Sequence, residues 1–380
     1  MKICIMGTKT YPPKIGGIET HVYEIAPRLA AKGHEVSVIA GQKYNKKYEK
    51  INGVKVYRVP FLEHHLTTTP TMVPFIIAKA RKLDADIYHI HRDLVELPAT
   101  LFLNPIVFTV HGFGHRRWDR PLPVRQLARY CETTAIRFAT KVISVDYLTG
   151  DYVKKIHNDS IVIPNGFSFD KYYNMMSTPP SEFIDDNKIK ILFVGRFLPS
   201  KGAGLLIKAF KGLPEQIKNH CTLYIIGDGP QRNEIISLAS KEERIKVLGY
   251  VNDVIPYFQH SDIFVLPSFY EGLPIALLEA LALGNACLAT RIGDIPKRFT
   301  HNRELLLVAP GDVIDLRSKL IDLINDEKKR KFLAKNAMKV IKEEYDWERI
   351  VDQIENIYEK ALIASSKSFR RRRLTYGERT

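Results

Sequence analysis

Apolar residues recur along this chain in short β-branched runs, separated by stretches with a helical period. The runs predict strands at Lys2–Met6, Glu35–Ala40, Val54–Val59, Ile87–Ile90, Ile106–Val110, Val142–Val145 and Ile161–Ile163. Helices are expected between them, at about 18–32, 72–83, 94–103, 122–139 and 146–156. Residues 167–188 break the alternation. They are polar, contain Ser177-Thr-Pro-Pro-Ser181 and read as a linker. A second alternating unit follows, with strands near Ile189–Val194, Thr222–Ile226, Ile245–Leu248, Ile263–Leu266, Ala286–Ala289 and Leu305–Val308. Such alternation implies parallel sheets covered on both faces, so the expected class is α/β, with two doubly wound domains in tandem. The chain divides into domains at 1–166 and 189–345, the linker 167–188, a helix at 346–364 and a basic tail, 365–380, expected to be flexible. Ligands of doubly wound sheets bind at the carboxyl ends of the strands, which directs attention to a cleft between the two domains.

Composition narrows the classes. Of the 380 residues 45% are hydrophobic, enough for real cores and unlike a disordered chain. Pro, Gly and Glu interrupt every apolar run before it reaches the roughly 18–20 residues of a membrane span. Met1-Lys-Ile-Cys-Ile-Met6 reads directly as a strand, with no room for a signal peptide, and Cys4, Cys131, Cys221 and Cys287 form no metal or redox motif. Reduced thiols in a cytoplasm are therefore expected. The formal charge is +15, and the excess sits in residues 1–164 and in the tail, whereas 165–364 are balanced. That asymmetry fits an anionic partner, either a membrane surface or an acidic substrate, with generic solubility charge as the competing explanation.

The candidate chemistry lies at strand ends. Ser268-Phe-Tyr-Glu-Gly-Leu-Pro274 leads from a strand into an apolar helix whose one charged residue is Glu279. Pro274 is expected at the first helical position, where its fixed φ and missing N–H do no harm. Glu271 lies just ahead of that helix start, where free N–H groups suit an anion. Two carboxylates so spaced can grip hydroxyls at both ends of a phosphate-containing ligand such as a nucleotide-sugar; the plainer alternative is a buried helix with one paired Glu. Gly195-Arg-Phe-Leu-Pro-Ser-Lys-Gly202 follows another strand, so Arg196 and Lys201 make a two-cation clamp for a diphosphate, or else two surface cations on a loop. Gly16-Gly17 reach a helix start, where the missing Cβ atoms let backbone N–H groups close on a phosphate or sugar oxygen. Their distance from the first strand speaks against a dinucleotide fingerprint. Glu19 and His21 follow and are expected to be solvated or capping. His111, before Gly112 at a strand end, has an open approach and can donate to a sugar hydroxyl, although a structural histidine is the commoner case. His89 is expected to be structural and His91 to line the cleft. Gly227-Asp-Gly-Pro230 is a tight strand-to-helix turn, and Leu248-Gly-Tyr250 places backbone groups to read a base edge.

Gly16-Gly17, His111, Gly195-Arg196 with Lys201-Gly202, Gly227-Asp-Gly-Pro230 and Glu271-x7-Glu279, in this order, resemble the retaining family 4 glycosyltransferases of the GT-B fold, over residues 1–363. The resemblance implies two Rossmann-like domains facing an interdomain cleft, with the helix at 346–363 crossing back to the first. It implies that Arg196 and Lys201 bind the donor diphosphate and that Glu271, with the backbone at Gly272 and Leu273, holds the transferred sugar. Glu279 would take the ribose hydroxyls, Tyr250 would lie at the base, and His111 would act near the reacting centre. The implied reaction moves a hexosyl unit from a UDP- or GDP-sugar to an acceptor hydroxyl with retained configuration, without cofactor or metal. Two departures concern loops: Asp294 in Ile292-Gly-Asp-Ile-Pro296 stands where a second Gly is usual, and Asn285 where Thr is common. Asp84-Ala-Asp86 resembles a metal-binding D-x-D but precedes a strand, and is expected to be a helix-to-strand turn. Residues 115–129, with Trp118 among arginines that include Arg125 and Arg129, have the composition of a segment at an anionic bilayer; a soluble acidic acceptor is the alternative. No nucleic-acid partner is expected. The rival readings are a GT-B epimerase or sugar-nucleotide hydrolase, and a non-catalytic protein that binds anionic lipid or nucleic acid.

Overall fold

Strands with apolar side chains on both faces need cover on both faces, and the chain supplies it twice. The computed structural model describes residues 1–13, 17–41, 46–60, 68–91, 96–113, 122–168, 177–183 and 187–377. Two units emerge, residues 1–166 with 347–380, and residues 167–346.

The first unit is built on β1 (Lys2–Thr8), β2 (Glu35–Gly41), β3 (Tyr48–Ile51), β4 (Val54–Val59), β5 (Ile87–Ile90), β6 (Ile106–Val110), β7 (Lys141–Ser144) and β8 (Ser160–Val162). They lie in the order β3-β4-β2-β1-β5-β6-β7-β8, all parallel to their neighbours except β3, which runs antiparallel to β4. The unexpected strand is β3. Its turn is Asn52-Gly53, both residues at positive φ (48° and 82°), which is the geometry that an Asn-Gly hairpin favours. Asp84 (φ 44°) and Asp86 form the expected turn between the helix Thr68–Leu83 and β5, with Asp86 Oδ2 accepting from Lys2 N at 2.7 Å.

The second unit holds β9 (Ile189–Val194), β10 (Cys221–Ile226), β11 (Ile245–Gly249), β12 (Ile263–Leu266), β13 (Ala286–Thr290) and β14 (Leu306–Val308), in the fully parallel order β11-β10-β9-β12-β13-β14. Alternation sorts its core: Ile191 and Phe193 of β9 join one apolar layer and Leu192 joins the other. The order reverses between β9 and β12, which makes the carboxyl edge of these two strands the switch point at which doubly wound sheets take their ligands. Both described ends of the segment 167–188 pack into this unit. Phe167 and Phe183 are in its core, and Phe183 lies 4.4 Å from the Tyr224 ring.

The C-terminal helix packs on the first unit. Trp347, Ile350, Val351, Ile354, Ile357, Tyr358 and Ala361 join the core formed by β1, β2 and the helix Gly17–Ala31. The helix continues to Gly377, well past Ala364. No Gly or Pro interrupts Trp347–Tyr376, the residues past Ala364 include Lys, Leu and Arg, which favour helix, and a Gly stands at the observed end. Among the described residues no helix is long and apolar enough to cross a membrane.

Candidate functional site

In the second unit, the loops after β9 and β12 are locked to each other at the switch point. Pro199–Lys201 forms one 3-10 turn, ended by Gly202 at φ 71°. A Cβ there would overlap the carbonyl oxygen of Pro267, so glycine permits the contact that brings Lys201 beside the next loop. Phe269 N donates to Ser200 O at 2.8 Å and closes the junction. Lys201 Nζ thereby pairs with Glu271 Oε1, which also accepts from Ser268 Oγ at 3.2 Å. Ser268 is fully buried, and Thr290 Oγ1 donates to its carbonyl at 2.6 Å. The loop after β13 supports the same segment. Gly293 (φ 53°) sits where a Cβ would overlap the Glu271 carbonyl oxygen, and Asp294 N donates to Gly272 O at 3.2 Å. Asp294, the departure noted above, is completely buried and lies against Arg298.

The remaining predicted positions surround this pair. Arg196 is exposed on the Lys201 loop and has no ion-pair partner among the described residues. Gly227 and Gly229 (φ 149° and 155°) press the Gly227-Asp-Gly-Pro230 turn onto that loop, with Phe197 N donating to Asp228 O at 2.9 Å. Gly272 and Leu273 are half-buried between Glu271 and the helix Ile275–Ala282. Pro274 is the residue that caps this helix (ψ 133°), one position ahead of its expected place. Glu279 lies on the helix and is half-buried. Tyr250 is 61% exposed and follows Gly249, whose carbonyl accepts from Gly227 N at 2.8 Å.

In the first unit, Gly17 starts a helix and is exposed, while Gly16 lies outside the described residues, as do 115–120. Glu19 and His21 are not solvated: both are buried, at 5% and 2% exposure. Glu19 Oε1 accepts from Lys9 N at 3.2 Å and holds the loop after β1. His21 Nδ1 meets Asn165 Oδ1 at 2.9 Å. The helical period turns both residues toward the sheet, together with Val22 and Ile25. His89 is structural as expected, fully buried between Tyr358 OH and Thr109 Oγ1, each at 2.7 Å. His91 is buried too, with Nδ1 3.0 Å from Nε2 of the half-buried His111. Burial pushes the His21 ring down to about 4 and lowers His89 and His91 as well, so all three are neutral near pH 7.

Two family models meet this chain end to end. The model described as Glycosyltransferase Family 4 matches residues 15–171, and that described as Glycosyl transferases group 1 matches residues 177–340. The chain belongs to the family 4 glycosyltransferases. An uncharacterized glycosyltransferase of Methanocaldococcus jannaschii is 28% identical, across 95% of this chain and 99% of its own. The UDP-Gal:alpha-D-GlcNAc-diphosphoundecaprenol alpha-1,3-galactosyltransferase of Escherichia coli is 26% identical, across 81% and 84%. Among solved structures, the sucrose-phosphate synthase of Thermosynechococcus elongatus superposes with a TM-score of 0.80 at 20% identity, covering 96% and 100%, a likeness of fold. This glycosyltransferase therefore has the GT-B fold. Ser268 had no role in the sequence reading, and the meeting of His21 with His91 and His111 was not part of it. Ser268 lay within the singled-out stretch, but only the fold shows that its hydroxyl reaches Glu271.

Proposed function

We propose that this enzyme transfers a hexosyl unit from a UDP-sugar to an acceptor hydroxyl with retention of anomeric configuration, and that the acceptor is lipid-linked and anionic. The observation that carries the donor site is the Lys201–Glu271 pair at the second sheet's switch point, held by three interlocked loops. Arg196 and Lys201 bind the diphosphate, and their charge stabilises the leaving group as the C1–O bond to phosphate breaks. The acceptor oxygen bonds to C1, and its proton passes to the departing phosphate oxygen, so no metal is needed. Diphosphate competes with Glu271 for Lys201 and frees the carboxylate to accept from sugar hydroxyls, beside the backbone of Gly272 and Leu273. Glu279 accepts from the ribose hydroxyls, Tyr250 lies at the base, Gly16 and Gly17 offer backbone N–H groups, and His111 donates to the transferred sugar. The donor base and lipid-linked acceptor follow the Escherichia coli relative, whose name contains UDP-Gal and diphosphoundecaprenol.

The exchange at Lys201 gives a test. UDP titrated calorimetrically should bind Glu271→Gln at least as tightly as the parent, because its competitor has lost its charge, while transfer falls about 10²–10³-fold. Lys201→Ala should lose both. UDP binding unaffected by Lys201→Ala would overturn the assignment. A donor screen with UDP- and GDP-hexoses, scored by NMR for the product anomer, tests base and stereochemistry together.

A further inference from the structure

The first unit gathers histidines beyond what one sugar contact needs. One nitrogen from each of His21, His91 and His111 lies within 4.8 Å of the others. The topology makes the cluster: β5 and β6 are neighbours, so His91 and His111 stand side by side just past their strand ends, and the helix Gly17–Ala31 lowers His21 onto them. Ring centroids are 4.9 Å apart for His21–His111, 5.3 Å for His21–His91 and 5.3 Å for His91–His111. Three imidazoles on one tetrahedral zinc, each with Zn–N of about 2.0–2.1 Å, place their centroids roughly 5.2 Å apart.

Two buried nitrogens point to a ligand. His21 Nε2 and His91 Nε2 have no hydrogen-bond partner among the described residues, although both rings are almost fully buried. Asn165 Oδ1 can only accept, so His21 Nδ1 carries the proton and its Nε2 keeps the lone pair. A partner that fixes the tautomer of a ligating ring is what a metal histidine requires. His111, half-exposed, gives access.

We propose that His21, His91 and His111 bind a divalent transition-metal ion of the zinc class, with water at the fourth position. Where His111 contacts the transferred sugar, as the proposed function has it, the ion excludes that contact and inhibits transfer; this consequence rests on that reading, and the binding itself does not.

The test needs no activity. Chelator-treated protein is titrated with Zn2+ by calorimetry and with Co2+ by visible absorption. One equivalent should bind, Co2+ should give the intense bands of a tetrahedral site, and His111→Gln should weaken binding at least tenfold. The exposed His220→Gln, in the other unit, should change nothing. Since His111→Gln can disturb folding, crystals of the unaltered protein soaked in Zn2+ provide anomalous scattering, with a peak expected among the three rings. No saturable binding, a weak octahedral Co2+ spectrum, full affinity in His111→Gln or an anomalous peak elsewhere would each overturn the site. If the ion binds and transfer continues undiminished, the site stands and the sugar role of His111 fails.

Discussion

A single methyl group tests how the Glu271 loop is held. On Gly293 it would overlap the Glu271 carbonyl oxygen, and φ of 53° adds strain for any residue with a Cβ. Gly33 has an equally unusual φ of 89° but nothing within 4 Å of the added atom. Gly33→Ala should therefore cost about 1 kcal/mol, from backbone strain alone. Gly293→Ala should cost roughly 2–4 kcal/mol and lower transfer as well, because relief of the overlap moves Glu271. Urea unfolding of the two variants, beside their transfer rates, checks this; equal costs would show that the loops are not locked. The buried histidines give a second test. Their folded pKa values lie below the ordinary 6.5, so the unfolded chain binds protons first as pH falls. Stability from these rings is complete above pH ~6.5 and falls by about 1.4 kcal/mol per pH unit per ring below it, for His21 down to about 4. Unfolding midpoints between pH 7 and 5 should drop accordingly, and a flat profile would mean that the rings are solvated. The sequence showed Lys201, Glu271 and His111 at strand ends because those positions follow from period and turn residues. It could not show that His21 and His91 meet, since that depends on which strands are neighbours.

The C-terminal helix shows how the elements share one core. It brings seven residues, from Trp347 to Ala361, into the first unit, and a Cβ on Gly166 would overlap the Trp347 ring. Its surface ion pairs, Arg28–Glu348 and Lys32–Asp352, lie where solvent screens them and contribute little. Apolar burial, at about 1.5–3 kcal/mol for each large side chain, dominates. A chain ending at Asp346 should therefore leave the first unit unfolded, whereas one ending at Ser366 should keep the parent's unfolding temperature, as calorimetry would record. Full stability of the shorter chain would show that the helix is dispensable. Tyr358→Phe isolates one polar contact: it strips His89 Nδ1 of its partner and should cost about 1–3 kcal/mol. The apolar stripe of this helix was plain in the sequence, and so were the other strands, since parallel sheets leave continuous β-branched runs, and the helices of the first unit. The strand β3 was missed although Asn52-Gly53 marks a hairpin, because Tyr48-Glu-Lys-Ile51 is an edge strand with only a weak apolar signal. The final helix runs on through the serine- and arginine-rich stretch, which holds no helix breaker before Gly377.

The two halves of the chain differ in charge more than in fold. Residues 1–164 hold 24 Lys/Arg against 14 Asp/Glu, while 165–364 hold equal numbers. The proposed donor site draws on two cations of the second half, Arg196 and Lys201, and leaves the surplus of the first half unused. On the helix Leu122–Phe138 of that half, Leu122, Leu127, Tyr130 and Phe138 are all at least 59% exposed, and Arg129 and Arg137 are exposed among them. Leu101 and Phe102 are exposed on the helix Glu96–Phe102. Large apolar side chains flanked by arginines match the boundary between lipid headgroups and acyl chains, which is where a lipid-linked acceptor presents its hydroxyl. Each basic residue near an anionic surface contributes about 1 kcal/mol, and the screening length falls from about 10 Å at 0.1 M salt to 3 Å at 1 M. Vesicles with anionic lipid should therefore sediment the protein at low salt and release most of it at high salt, and neutral vesicles should hold much less. Arg129→Glu with Arg137→Glu should weaken binding and flatten its salt dependence, since charge attraction is what they remove. Leu127→Ser with Tyr130→Ser should weaken binding at every salt concentration, because insertion of apolar surface does not depend on screening. Equal sedimentation by neutral and anionic vesicles, or none at low salt, would show that the basic half does not hold the protein at an anionic membrane.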